Sequence, residues 1–409
     1  MSTPAGALVA SRPDAAALPD PFILRRIGVV WGLLLANAMP WISGSLLPVP
    51  RAASKVLLVA ALGLAFVLAL RLNPRLIVRP NVVLTLATLL ALTSVMTSIR
   101  GAVGVGGMFR SVRLCVFLAV LWLLTPWWGR RDLLFVRCHL RALLVVLATV
   151  LLGVLVAPTV ALGGRLSGII WPIPPPQVAE YAAVVAGMSV ALWMSGFLVR
   201  SQAMFFAGGG VIIILLSHTR TALIGLVAGV LCAALSLALS RRRVRRFLTG
   251  ALLVVPVVLV VLAPVLLTWF ARGQSTEEIG QLTGRKQVWD SVLNAPRSEF
   301  DQWFGHGLSD KAFNGLPIDS TWLAVYHDQG LVGDAVVGAT LLFLLVAPIF
   351  RPSAPGRAVV TFTVVYCAVA AYTEVGFGDA SPYLLHLVVA ASLLTPAEDV
   401  SPDGDFTTS

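Results

Sequence analysis

Apolar runs close to twenty residues long alternate with short polar connections from position 27 almost to the C-terminus. A helix rising about 1.5 Å per residue needs roughly 20 apolar residues to cross the hydrocarbon of a bilayer. The runs at 27–47, 55–70, 82–98, 114–128, 142–157, 178–197, 204–216, 221–239, 249–268, 331–350, 358–373 and 382–394 predict an all-α polytopic bundle of about twelve spans. One connection, 269–330, is far longer than a turn. The predicted organisation is an N-terminal tail at 1–26, a transmembrane region at 27–396 that includes the long loop, and a C-terminal tail at 397–409. The first twenty residues, rich in Ala, Pro and Ser, lack the ordered charged, apolar and cleavage regions of a leader, and the polar, acidic end is aromatic-poor. Both ends are expected to be disordered.

Composition agrees with the pattern: 58% of residues are hydrophobic, mean hydropathy is +0.89, and the 12% charged is about half the share of a soluble domain. A formal charge of +11 raises nucleic-acid binding, but the basic residues form short clusters between apolar runs, with no continuous stripe interleaved with aromatics. Topology accounts for them better. With the N-terminus inside, the inner connections hold 18 Lys and Arg, including the run from Arg241 to Arg246, against seven in the short outer ones. The positive-inside rule thus places both termini in the cytoplasm and the long loop outside. Cys115, Cys138, Cys232 and Cys367 are too scattered for a metal site or a disulfide framework and read as packing residues.

Chemistry is expected in the long loop. The stretch TGRKQVWDSVLNAP predicts an amphipathic helix with Thr283 as N-cap, an apolar face of Val288, Trp289, Val292 and Leu293, and Pro296 as terminator. It would present Arg285 and Lys286 near the membrane surface. Arg220, in SHTRTALIGLVAG, interrupts two apolar runs; because a guanidinium at the bilayer centre is costly, it should face the outer mouth or a wet cavity. His218 beside it reads as a polar interface residue. Two arginines converging on one mouth suit a diphosphate, with an acidic group or His nearby as base. His306, Asp319, Ser320 and Thr321 follow in the same loop. A solvated basic loop with incidental carboxylates is the plain alternative. No P-loop, HExxH, CxxC or Asp-rich pair occurs, so no cofactor or metal is expected, and an outer-face enzyme would draw on an already activated, lipid-linked donor.

Four segments, in order, resemble the O-antigen ligase and O-antigen polymerase superfamily of bacterial membrane glycosyltransferases. GRLSGIIWPIPPPQVAEYAA, from Gly164, is similar to the outer loop entering the sixth span, and SHTRTALIGLVAG to the family's Ser-x-x-Arg-x-Ala junction. TGRKQVW is similar to its loop helix, and DSTWLAVYHDQGLVG to the segment that re-enters the membrane. The resemblance covers 164–333 and implies transfer of a glycan from a polyprenyl-diphosphate carrier to an acceptor hydroxyl, on the outer face of the bacterial cytoplasmic membrane, without a metal and with inversion. It implies that Arg220 and Arg285 hold the donor diphosphate and that Arg165 is a further outer-loop arginine. Asp319 and Ser320 stand where ligases of the family usually have His-Asn, so Asp319 is the expected base, with His306 and His327 as substitutes. Lys286 joins the substrate-binding set, and Asp328 sits where Glu is common. Gly330 and Gly333 are family-like packing or turn positions. Glu374 and Asp379, at the outer end of the eleventh span, either line an acceptor path or are ordinary helix-end carboxylates in water. The expected partners are the lipid-linked donor, a glycan or lipid acceptor and membrane lipid, with no nucleic acid. The loss of His-Asn tilts the reading toward a polymerase. A secondary transporter or flippase for a lipid-linked sugar is the runner-up, weakened by the absence of an internal repeat and by few ionisable residues in span centres. A non-catalytic scaffold is the third reading, and the arginines gathered on one face count against it.

Overall fold

Each predicted run overlaps a helix, and the departures lie at the ends. A computed structural model describes residues 21–39, 50–100, 104–130, 132–238, 240–271, 285–309, 311–350 and 356–396. In it the chain builds α1 (Pro21–Ala38), α2 (Arg51–Leu72), α3 (Val82–Arg100), α4 (Gly104–Leu123), α5 (Leu134–Val156) and the single turn α6 (Pro158–Ala161). Next come α7 (Pro175–Ser195), α8 (Arg200–Leu216), α9 (Arg220–Ala238) and α10 (Arg242–Ala271). The last third holds α11 (Arg285–Asn294), α12 (Glu299–Phe304), α13 (Thr321–Val346), α14 (Gly356–Ala370) and α15 (Pro382–Leu394). Among the described residues eight helices are long and apolar enough to cross a membrane, or nine if α10, bent by 69°, is one span. Pro256 and Pro264 lie inside α10, where each removes a backbone donor. The chain is thus a polytopic membrane bundle of eight to nine apolar spans. Helices α8, α14 and α15, of 17, 15 and 13 residues, separate that number from the expected twelve.

Several helices begin earlier than hydropathy predicts, among them α4 at Gly104, α5 at Leu134 and α13 at Thr321. Arg110, Arg113, Arg137 and Arg141 therefore ride on the first halves of these helices, and Arg113 donates to Asn37 and to Ala380 O. The bundle also contains one small exception to all-α: Ala312–Phe313 pairs antiparallel with Leu316–Pro317. Asn314 and Gly315 form its turn with φ of 51° and 78°, the left-handed pair that a two-residue hairpin requires.

Helix α7 is the hub: its window is 89% buried, against 17–39% for the other long helices. Without a hydrophobic drive between helices in lipid, close packing needs small residues. Gly210 of α8 abuts Ala182 and Ala186 of α7, Gly187 of α7 lies against Phe362, and Gly225 and Gly229 of α9 seat Tyr366 and Phe362 of α14. A methyl group at any of them would collide with these neighbours.

Contacts between connections define two ends. At one, the segments 157–174, 217–220, 285–320 and 371–381 meet, together with Arg100 at the end of α3 and Arg113 of α4, which reaches Ala380 O. At the other, Gly129 N–H donates to Ser392 O and Asn81 Nδ2 to Thr395 Oγ1. The candidate chemistry lies at the first, the loop end.

Candidate functional site

Four elements converge at the loop end. The 162–174 loop is tied to the α8–α9 junction: Leu166 N–H donates to Leu216 O, and Arg165 donates from Nε to Ser217 O at 2.9 Å and from Nη2 to Thr219 Oγ1 at 3.2 Å. The next residue, Arg220, opens α9 and reaches Ala271 O at 3.4 Å. Thr221 Oγ1 then bonds Thr373 Oγ1 at 2.6 Å, which draws in the 371–381 loop. Thr321 at the start of α13 donates from Oγ1 to Glu374 O at 2.7 Å, and its N–H to Ala371 O. Just before it, Asp319 Oδ2 accepts from Arg285 Nε at 3.0 Å.

The electrostatics identify the same group. Burial pushes the Glu374 carboxyl up to about 8, opposed first by Arg285 and then, more weakly, by Arg165, while Glu180 and Asp319 add to the rise. Burial likewise lowers Arg165, with Glu374 countering and Arg285 reinforcing. Arg165, Arg285, Asp319 and Glu374 therefore share one field, with Arg220 on the adjoining turn. Arg285 and Asp319 keep 29% and 38% of their side chains exposed, so the pair stays within reach of a ligand.

Helix α11 has the expected character with one correction. Val288 and Val292 are buried, and Trp289 meets Tyr372 edge-on at 5.5 Å. Leu293, placed on that face by the sequence, is instead 56% exposed, because a ten-residue helix resting on one corner of the bundle covers only its Val288–Val292 stripe. Arg285 turns inward to Asp319, whereas Lys286 is exposed and makes no ion pair among the described residues. The expected cap Thr283 lies outside the described residues.

His306, His327 and Asp328 form a second cluster. Asp328 is buried and accepts from Ser309 Oγ at 2.7 Å; its Oδ1 also lies 3.1 Å from His327 Nδ1. The His306 and His327 rings stack at 5.4 Å, and His306 N–H and Gly307 N–H donate to the carbonyls of His327 and Asp328. His327 lies roughly 9 Å along the helix from Thr321. This cluster fastens the loop to a break in α13 at Gly330, where φ 66° and ψ −165° admit glycine alone and a methyl group would strike the backbone of Trp303 and Phe304. Gly333 packs under Gln329 and Val325. Asp379 faces Lys311 at 3.8 Å and caps Ala380 N–H. His218, at φ 49°, stacks on Trp269 at 5.9 Å, in keeping with an interface role.

Inside the bundle lies a polar chain that corrects the expectation of few ionisable residues in the spans. Trp31 Nε1–H donates to His139 Nδ1 at 3.1 Å, His139 Nε2 meets His386 Nδ1 at 2.7 Å, and His386 Nε2 meets Glu180 Oε1 at 2.9 Å. All four are buried. Indole only donates, so the neutral chain has one direction, from Trp31 through both imidazoles to Glu180. The sequence reading placed His139 in a connection because it began the fifth span at 142, past Arg137 and Arg141. The signal was present: a lone His or Glu in an apolar run needs an interior partner.

Fold and site together define a class: a polytopic membrane protein with a cationic, carboxylate-bearing cluster of loops at one end. Residues 203–333 match the family model described as O-antigen ligase, a stretch that contains Arg220, Arg285, Asp319 and Asp328. The chain is a polytopic membrane protein that over these residues is similar to O-antigen ligases. No curated protein matches it. Among the described residues no group of three His, Cys, Asp or Glu is arranged to hold a metal ion.

Proposed function

We propose that the protein is a glycosyltransferase that moves or polymerises a glycan carried on a polyprenyl diphosphate, with the loop end facing outward from the cytoplasmic membrane. The single observation that carries the reading is the convergence of Arg165 and Arg285 on Asp319 and Glu374, beside Arg220, within and next to the O-antigen ligase match. In this reading α8, α14 and α15 cross the membrane as well, giving twelve spans and cytoplasmic termini. The excess of basic residues at the opposite end supports that orientation.

The acceptor hydroxyl attacks the anomeric carbon from the face opposite the phosphate, its proton passes to a carboxylate, and the carbon–oxygen bond to the diphosphate breaks. The leaving diphosphate gains charge, which Arg220, Arg285 and Arg165 stabilise in a site that needs no reorganisation. Arg285 is held for this task by Asp319. Of the two carboxylates, Glu374 is the better proton acceptor, because its raised value lies near working pH, while Asp319 has an oxygen committed to a guanidinium. This revises the sequence reading, in which Asp319 is the base. His306, His327 and Asp328 act by holding the loop in place.

The test is reconstitution of purified protein with a lipid-diphosphate-linked oligosaccharide, with and without chelator. Chelator-resistant glycan product, lost in Arg285→Ala and in Glu374→Gln variants that insert normally, supports the reading. Movement of carrier lipid across the bilayer with no new glycosidic bond would establish the transporter instead.

A further inference from the structure

A groove of about 720 Å³ runs between α1 and α5, from the starts of both helices up to Trp171 of the 162–174 loop. Its α1 wall is Leu24, Arg25, Gly28, Val29, Gly32 and Ala36, and its α5 wall runs from Leu134 past Arg137, Arg141 and Val145 to Thr149. Both sets recur every three or four residues, so each is one face of its helix. From Leu134 to Thr149 the wall extends roughly 22 Å, longer than the roughly 15 Å hydrocarbon depth of one leaflet. The two helices touch on the neighbouring face, where Trp31 meets Phe135 edge-on at 5.3 Å, and then splay.

Two observations separate this groove from ordinary lipid-facing surface. Gly28, Gly32 and Ala36 form the small-residue spacing that usually brings helices into contact. Here that stripe is left open: a methyl group at Gly32 would meet nothing within 4 Å, and one at Gly28 only Cys138 Sγ at 3.8 Å. The charge also lies in the half of the groove nearer the starts of both helices. Arg25 is four residues into α1, Arg137 and Arg141 are three and seven residues into α5, and the far end closes on Met39 and Trp171. Asp132 engages Arg130 and Arg137, while Arg25 and Arg141 form no ion pair among the described residues.

We propose that this groove binds one anionic phospholipid, its acyl chain lying along Gly28, Gly32 and Ala36 and its phosphate held by Arg25 and Arg141. Guanidinium groups at a helix end bind lipid phosphate oxygens through charge-assisted hydrogen bonds, and the apolar walls accept the chain without any polar group to satisfy. The charge is at the wrong end for the tail of a diphosphate donor entering from the loop end, whose head would lie near Trp171. The site is independent of the transferase reading.

Full-length protein would be purified in mild detergent, delipidated and titrated with phosphatidylglycerol or phosphatidylcholine, with bound lipid read by native mass spectrometry. Wild type is expected to retain phosphatidylglycerol about tenfold more tightly than phosphatidylcholine. Arg25→Gln with Arg141→Gln should erase that preference while weak binding of both lipids persists. Gly32→Leu starts from a position where an added Cβ meets nothing within 4 Å, so it should fold and lose both lipids; Val145→Trp, from a position 65% exposed, fills the groove from the other wall. Equal retention of the two lipids by wild type, or undiminished phosphatidylglycerol in both filled variants, would overturn the proposal. So would a polyprenyl diphosphate that displaces phosphatidylglycerol and binds the arginine variant as tightly as wild type.

Discussion

The loop-end site and the buried chain from Trp31 to Glu180 hold polar groups in the same bundle under opposite conditions. At the loop end, Arg285 and Asp319 pair at 3.0 Å yet stay partly exposed, and Glu374 is held near neutrality by burial against two arginines. In the interior every ring nitrogen of His139 and His386 has a partner, and no member of the chain is accessible. A buried polar group left unpaired costs about 1–3 kcal/mol, so the interior chain is complete because lipid offers no substitute. The loop end can leave capacity unused, because water fills it until a ligand arrives. On the proposed reading, incomplete pairing at the partly exposed loop end serves chemistry, and complete pairing in the interior serves structure.

The largest effect that contrast predicts is on turnover. Arg285→Ala and Arg220→Ala should each lower glycan transfer by about 100-fold or more, the scale of removing one donor from a preorganised anionic site. The same Arg285→Ala should change thermal stability little, since a partly exposed ion pair contributes under about 1 kcal/mol. Transfer rate and melting temperature in the same detergent check both halves. A variant that melts early and also loses activity would remove the distinction between the regions at this position.

The interior should behave in reverse. Glu180→Leu leaves the His386 Nε2–H without an acceptor in an apolar setting and should cost about 1–3 kcal/mol of stability. Glu180→Gln keeps an acceptor oxygen and should cost less. Gly330→Ala belongs with these structural changes: its backbone lies where only glycine is comfortable, and the new methyl group meets Trp303 and Phe304, so loss of folded yield is expected. If Glu180→Gln folded normally but abolished transfer, the interior chain would be part of the mechanism.

How far the sequence revealed these regions follows from the range over which each is determined. Apolar runs are local, so the bundle and the loop helix were legible, as were Arg220 and Arg285, which interrupt or border such runs. The exact helix starts were not, because arginines on α4 and α5 lower hydropathy over turns that are nonetheless helical. The pairing of Arg285 with Asp319 spans 34 positions, and that of His386 with Glu180 spans 206. No window shows either partner. Glu374 reads from sequence as a position on an acceptor path and not as a base, since its neighbours in sequence are unremarkable; the charged groups that act on it, Arg285, Glu180, Asp319 and Arg165, stand far from it along the chain.

Glu374 gives the finest test of the comparison, through pH. A carboxyl at about 8 when folded, against an ordinary 4.5, binds more protons in the folded state than in the unfolded one between those values. Stability should therefore fall as pH rises from about 4.5 to about 8 on account of this group, and Glu374→Gln should remove that slope. Transfer should move the other way. If ionised Glu374 takes the acceptor proton, the rate climbs about tenfold between pH 7 and pH 9 as the carboxylate fraction grows, then levels. Glu374→Gln should flatten the profile at a low rate, and Asp319→Asn should lower the rate but keep the rise. A rise that survives Glu374→Gln and disappears in Asp319→Asn would return the proton to Asp319 and leave Glu374 as a partner of the arginines.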